Sequence, residues 1–177
     1  MRSMSPLIAS TSTVGREGRD DMNRYQTALS ALQFFAMSAE EQIESARAGA
    51  TGDEPKFFSG YTGADRDCNY FMGVACIFKT YQGELFERIA SDDGQDALSD
   101  FVHRLNVDMY SHRNPSDWSG GAVRAGQMWA KLREDARKAL ILLSESIPLE
   151  LPKFDVSALI NVNDFLPSQE AKRLLQE

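Results

Sequence analysis

The chain is poor in the residues that build most recognisable sites. It holds two cysteines and two histidines among 177 residues. On one helix Cys68 and Cys76 would sit about 12 Å apart along the axis, too far for a disulfide. With His103 and His112 they match no zinc spacing. No metal and no cofactor is therefore expected, and unpaired cysteines suit a reducing compartment, so a cytoplasmic location is expected. Basic charge is also scarce: 19 Lys and Arg stand against 26 Asp and Glu, a net charge of −7. That balance disfavours nucleic acid, whose phosphates require a basic surface. It admits a basic protein partner and equally suits simple solubility. No apolar run approaches the roughly 18 residues of a membrane span, so no membrane partner is expected. The N-terminal MRSMSPLIASTSTVGREG is interrupted by Pro6 and a Ser/Thr run, unlike a secretory signal. No phosphate-cradling loop, internal repeat or long low-complexity tract is present.

What remains is ordinary for a globular domain. Hydrophobic residues make up 42% and charged residues 25%. A chain of this length buries roughly 70% of its unfolded surface and folds as one domain.

Helical periodicity organises the middle of the chain. A first helix is expected from about Asp20 to Ala48, with Tyr25, Ala28, Leu29, Leu32, Phe35, Ala36, Ala39, Ile43 and Ala46 on one face. A second is expected from about Asp67 to Ala90; its Tyr70–Phe78 half is apolar nearly all round, the mark of a deeply buried helix. A third follows SDDGQD, capped by Asp92 or Asp93, and runs to about His112, where Asn114-Pro115 stops it. A fourth is expected from about Gly121 to Ser144. The fold class is thus all-α: an antiparallel four-helix bundle over 19–146, with a flexible N-terminal arm over 1–18. A C-terminal extension over 147–177, held extended by Pro148 and Pro152, ends in a short terminal helix and packs on the bundle.

In such a bundle the first and third connections share one end. The first, 51–67, is long for a bundle and carries Phe57, Phe58 and Tyr61 among glycines and serines. The third carries His112, Asp117 and Trp118. Aromatics on glycine-rich loops make a binding surface, or else a lid closing the core. With Asp65, Asp67 and Asp117 around them, Phe57, Phe58, Tyr61 and Trp118 form a candidate partner-binding surface with a negative rim. Asp108 lies one turn before His112, and an Asp that orients a His is a common element of acid–base chemistry. Cys68 could approach from the second helix. The alternative catalytic set is therefore His112, Asp108 and Cys68, against the plain reading of a histidine stabilising a helix C-terminus. Phe34 and Met37 lie off the first helix's inner face, as an oligomer contact or as surface covered by another segment.

Several spacings come near known motifs and miss. Asp65, Asp67 and Asn69 begin like a calcium loop, but Tyr70 and Cys76 stand where it needs Gly and Glu. Asp100 and His103 have a di-iron ligand spacing without the second pair. With no catalytic constellation, the expectation is a non-catalytic acidic helical protein that binds another, basic protein, as immunity proteins, inhibitors and adaptors do. The alternative is a small enzyme or small-ligand-binding bundle with its site at the end carrying His112 and the 51–67 loop. The second requires a concave pocket at His112.

Overall fold

A computed structural model describes the backbone of residues 14–49, 57 and 66–146, and the side chains of 24–49, 57 and 67–144. The extension over 147–177, most of the N-terminal arm, and Phe58, Tyr61 and Asp65 lie outside the described residues. Among those described, the chain is predominantly helical and has no strand. The helices are α1 (Val14–Ala36), α2 (Ala39–Gly49), α3 (Arg66–Tyr81), α4 (Gly83–Phe86), α5 (Asp92–Ser111), α6 (Gly120–Ala125) and α7 (Gln127–Ser146), with a 3₁₀ turn at Pro115–Trp118.

The long periodic segments are divided where local hydrogen bonding outweighs periodicity. The first breaks after Ala36, because Ser38 starts a new helix. Glu41 Oε2 accepts from the Ser38 N–H at 2.8 Å and from its hydroxyl at 2.7 Å. The Glu41 N–H donates back to Ser38 Oγ at 3.3 Å. This is a capping box, and S-A-E-E spells it in the sequence. α1 also begins at Val14, earlier than the expected Asp20. The second segment is interrupted at Gln82, and α4 ends at Phe86 rather than Ala90. α5 is capped by Ser91, whose Oγ accepts from the Gly94 N–H at 3.2 Å, and not by Asp92 or Asp93, which occupy its first turn. Acidic groups there still oppose the helix dipole favourably. The fourth segment is split at Gly126 into α6 and α7.

The α1–α2 break leaves carbonyls at the end of α1 without helical partners, and such groups need donors when buried. Fully buried Gln42 supplies one, donating from Nε2 to Phe34 O at 2.9 Å. Its Oε1 accepts from Arg133 Nη1 at 3.1 Å, and Arg133 also donates to Val123 O at 2.9 Å. Arg137 Nε donates to Ala36 O at 2.7 Å. Polar side chains of α2 and α7 thus seal the kink.

The long helices pack in pairs: α5 on α7, α7 on α1, and α1 on α3. α5 and α7 run in opposite directions, since Arg104 pairs with Asp135 and a Cβ on Gly94 would approach Leu142 O. Phe78 of α3 meets Phe101 of α5 edge to face, centroids 5.0 Å apart. At the centre the Trp129 ring stacks on Phe35 at 6.0 Å and meets Phe71 at 5.3 Å and Trp118 at 5.5 Å. Burying each such side chain contributes about 1.5–3 kcal/mol. Phe34, off the expected inner stripe, is fully buried because α3 covers it with Tyr70 and Phe71. Met37 is half-buried against the same core. The oligomer contact imagined for this pair therefore has no exposed phenylalanine to use.

Candidate functional site

The turn between α5 and α6 is fixed by the two tryptophans. His112 leaves the helix at φ −109° and ψ 79°, its N–H donating to Asp108 O at 2.8 Å. Asn114 is extended, as the residue before a proline must be, and Pro115 opens the 3₁₀ turn. Trp118 Nε1 donates to His112 O at 2.8 Å, and Trp129 Nε1 donates to Asp117 O at 3.0 Å. Each indole ring is fully buried while its N–H holds the turn backbone. These two bonds set where the His112 and Asp117 side chains sit.

Beside this turn lies an open cleft of about 350 Å³. α5 contributes Arg104, Asp108 and His112, spaced four apart and so on one face. The 3₁₀ turn adds Asp117, and the first turns of α7 add Gln127, Met128 and Lys131. Gly126 lines the cleft between α6 and α7. Its N–H donates to Ala122 O at 2.6 Å, ending α6, and its carbonyl accepts from the Ala130 N–H at 3.1 Å, starting α7. A Cβ there would lie 2.5 Å from Ala122 O, so a side chain at this position would force the two helices apart.

The cleft carries both signs of charge, and they are incompletely matched. His112 Nδ1 is 3.6 Å from Asp117 Oδ2, longer than a hydrogen bond. Arg104 Nε pairs outward with Asp135 Oδ2. Asp108 Oδ2 is buried with no hydrogen-bond partner. Desolvation raises the Asp108 carboxyl above its ordinary value; His112, Arg104 and Lys131 oppose the rise and Asp135 adds to it. Lys131 enters no ion pair among the described residues. No hydroxyl or thiol lines the cleft. The arrangement can hold charged groups, but it presents no Ser, Thr or Cys nucleophile.

The residues singled out from the sequence fall in several places. His112, Asp108 and Asp117 come together in the cleft. Cys68 does not join them: it is buried at the start of α3, its Sγ donating to Pro115 O at 3.1 Å. Trp118, expected on the partner-binding surface, has no exposed area and closes the core. A large indole with one satisfied N–H is stabilised far more inside than in water. Phe57 is half-buried against the core, and a Cβ on Gly73 would lie 3.5 Å from its Cε2, so Gly73 leaves room for that ring. Asp67 is half-buried in the first turn of α3. Arg104 and Lys131 were not among the site residues expected from the sequence. The signal that could have found Arg104 is helical spacing, since it and Asp108 share the face of His112, whereas Lys131 comes in from α7.

Among the described residues no group of three or more His, Cys, Asp or Glu could hold a metal ion, and no helix is long and apolar enough to cross a membrane. Comparison with protein-family models, with curated proteins and with solved structures yields no match for this chain.

Proposed function

We propose that the protein binds a small polar ligand in the cleft at the end of α5. In this reading α1, α3, α5 and α7 form the antiparallel bundle suggested by the sequence, and the α5–α6 turn shapes its open end. One observation carries the reading: the end bearing His112 is concave, and Lys131, without an ion pair among the described residues, and Asp108, with an unpartnered Oδ2, both line it. A volume near 350 Å³ sits at the lower end of the range of ligand pockets, about 300–1,000 Å³. Charged groups in a partly desolvated cleft are costly unless something pairs with them. The test is a screen of small charged metabolites by amide chemical-shift mapping. Perturbations clustered at 104–112 and 126–131 are expected from at least one compound. Shifts scattered over the surface, or none in that region, would reject the cleft as a binding site.

A second reading keeps the acidic, partner-binding protein of the immunity, inhibitor or adaptor type, acting in a reducing cytoplasm. What favours it is the outer face of α5. Asp92, Asp96, Asp100, His103, Val107 and Tyr110 recur at helical spacing and are all exposed, Val107 by 46% and Tyr110 by 72%. Arg113 lies over the Tyr110 ring, 4.5 Å from its centroid. An exposed Tyr with an acidic stretch beside it suits a basic partner. Co-purification of a basic protein with wild type, lost in Val107→Ser/Tyr110→Ser and weakened by salt, is the outcome this reading requires.

A further inference from the structure

Resting on the reading of the cleft as a ligand site, we infer that its ligand is a small zwitterion, carrying an ammonium and a carboxylate on one compact frame as a free amino acid does. The inference comes from how the charges are arranged. A cleft lined by bases alone would favour an anion, and one lined by acids alone a cation. Here Asp108 and Asp117 face the same space as Lys131, Arg104 and His112.

The opposite charges satisfy one another only in part. Lys131 is close enough to Asp108 to act on its carboxyl electrostatically, yet the two form no ion pair. Asp117 stops short of a hydrogen bond to His112, and Arg104 is engaged by Asp135 behind the cleft. A ligand with one charge would pair with one set and strip water from the other, leaving that set unpaired at a cost. A zwitterion pairs with both. Its ammonium sits by Asp108 and Asp117, and its carboxylate by Lys131 with His112 or Arg104 beside it. A volume near 350 Å³ accommodates such a frame with a modest side chain.

The test uses the full chain and calorimetric titration with free L-amino acids. Each is set beside its N-acetyl derivative, which keeps only the negative charge, and its carboxamide, which keeps only the positive charge. At least one amino acid should bind at least about tenfold tighter than both blocked forms, since each loses a charge pair worth about 1.4 kcal/mol or more. Lys131→Met should lower that amino acid's affinity to the level of its carboxamide. Asp117→Asn should lower it to the level of its N-acetyl derivative. Lys131 is exposed and Asp117 half-exposed, so neither change threatens the fold. If a blocked form binds as tightly as its parent, the zwitterion is wrong and the cleft remains a ligand site of another class. If no amino acid binds, the zwitterion is equally wrong, and the metabolite screen decides the cleft separately.

Discussion

The Trp129 ring touches Phe35, Phe71 and Trp118 on one side, while the same residue lines a cleft with Arg104, Asp108 and His112 on the other. In the aromatic layer every ring is fully buried, and each polar atom of the two indoles has a partner. In the cleft Arg104, His112 and Asp117 are half-exposed, Lys131 is exposed, and Asp108 Oδ2 has no hydrogen-bond partner. One region is closely packed; the other holds charges that the fold leaves incompletely paired. That contrast teaches where to expect stability and where to expect binding.

The largest effect should come from the aromatic side. Trp118→Ala removes a fully buried indole and the donor to His112 O, and should cost about 3–5 kcal/mol in urea unfolding. A loss below about 0.5 kcal/mol would return Trp118 to the surface role first expected of it and break the comparison. Lys131→Met, on the cleft side, should leave unfolding nearly unchanged.

Much of the aromatic layer was legible in the sequence. Of the stripe residues that pack it, Leu32, Phe35, Val74, Phe78, Leu98, Phe101, Trp129 and Leu132 are all buried. Hydrophobic periodicity reports burial directly, because the same apolar effect produces both. Phe34 escaped it, since a central helix is covered on more than one side. The breaks were less legible. Ser38 and Glu41 form a readable capping box, but a continuous apolar stripe runs through it. Gly126 reads as one glycine among helix-formers until its closeness to Ala122 O is known. The candidate site was legible in part. His112 and Asp108 share a helical face, but Lys131 reaches them only across the α5–α7 packing, and Trp118 looked like a loop aromatic. Tertiary burial, not local pattern, decided that tryptophan.

The next effect sits at the seam between the helices. Gln42→Ala removes the donor to Phe34 O and leaves Arg133 without its acceptor on α2. A buried group deprived of its partner costs about 1–3 kcal/mol. Gly126→Ala should cost a similar amount, about 1–3 kcal/mol, because the added methyl meets backbone rather than a movable side chain. The two differ in a way that sharpens the comparison. Gly126→Ala should also alter ligand binding, since Gly126 lines the cleft, whereas Gln42→Ala should not. Equal effects on binding would mean that the cleft is not separable from the core. Cys76 should behave as a core residue too: burial pushes its thiol up to about 11, so it should resist alkylation at pH 8 in the native state.

The smallest effect, and the one with a distinctive sign, belongs to Asp108. Burial holds its carboxyl above its ordinary value, so the folded state binds this proton more tightly than the unfolded chain does. The corresponding stability is fully present below the unfolded pKa and is lost as pH rises through the raised folded value. At neutral pH the ionised Asp108 therefore weakens the fold slightly, and Asp108→Asn should stabilise it by no more than about 1 kcal/mol, the effect being limited by partial solvent access. Lowering the pH through the carboxylate range should erase that gain, because protonated Asp108 is already neutral. Urea unfolding of the two proteins from pH 7 down to pH 3.5 checks it. A gain at neutral pH coupled to weaker amino-acid binding would place Asp108 among residues kept for the ligand rather than for the fold. A loss at neutral pH would mean that its attraction to His112, Arg104 and Lys131 outweighs its desolvation, and the cleft would then obey the same rule as the aromatic layer.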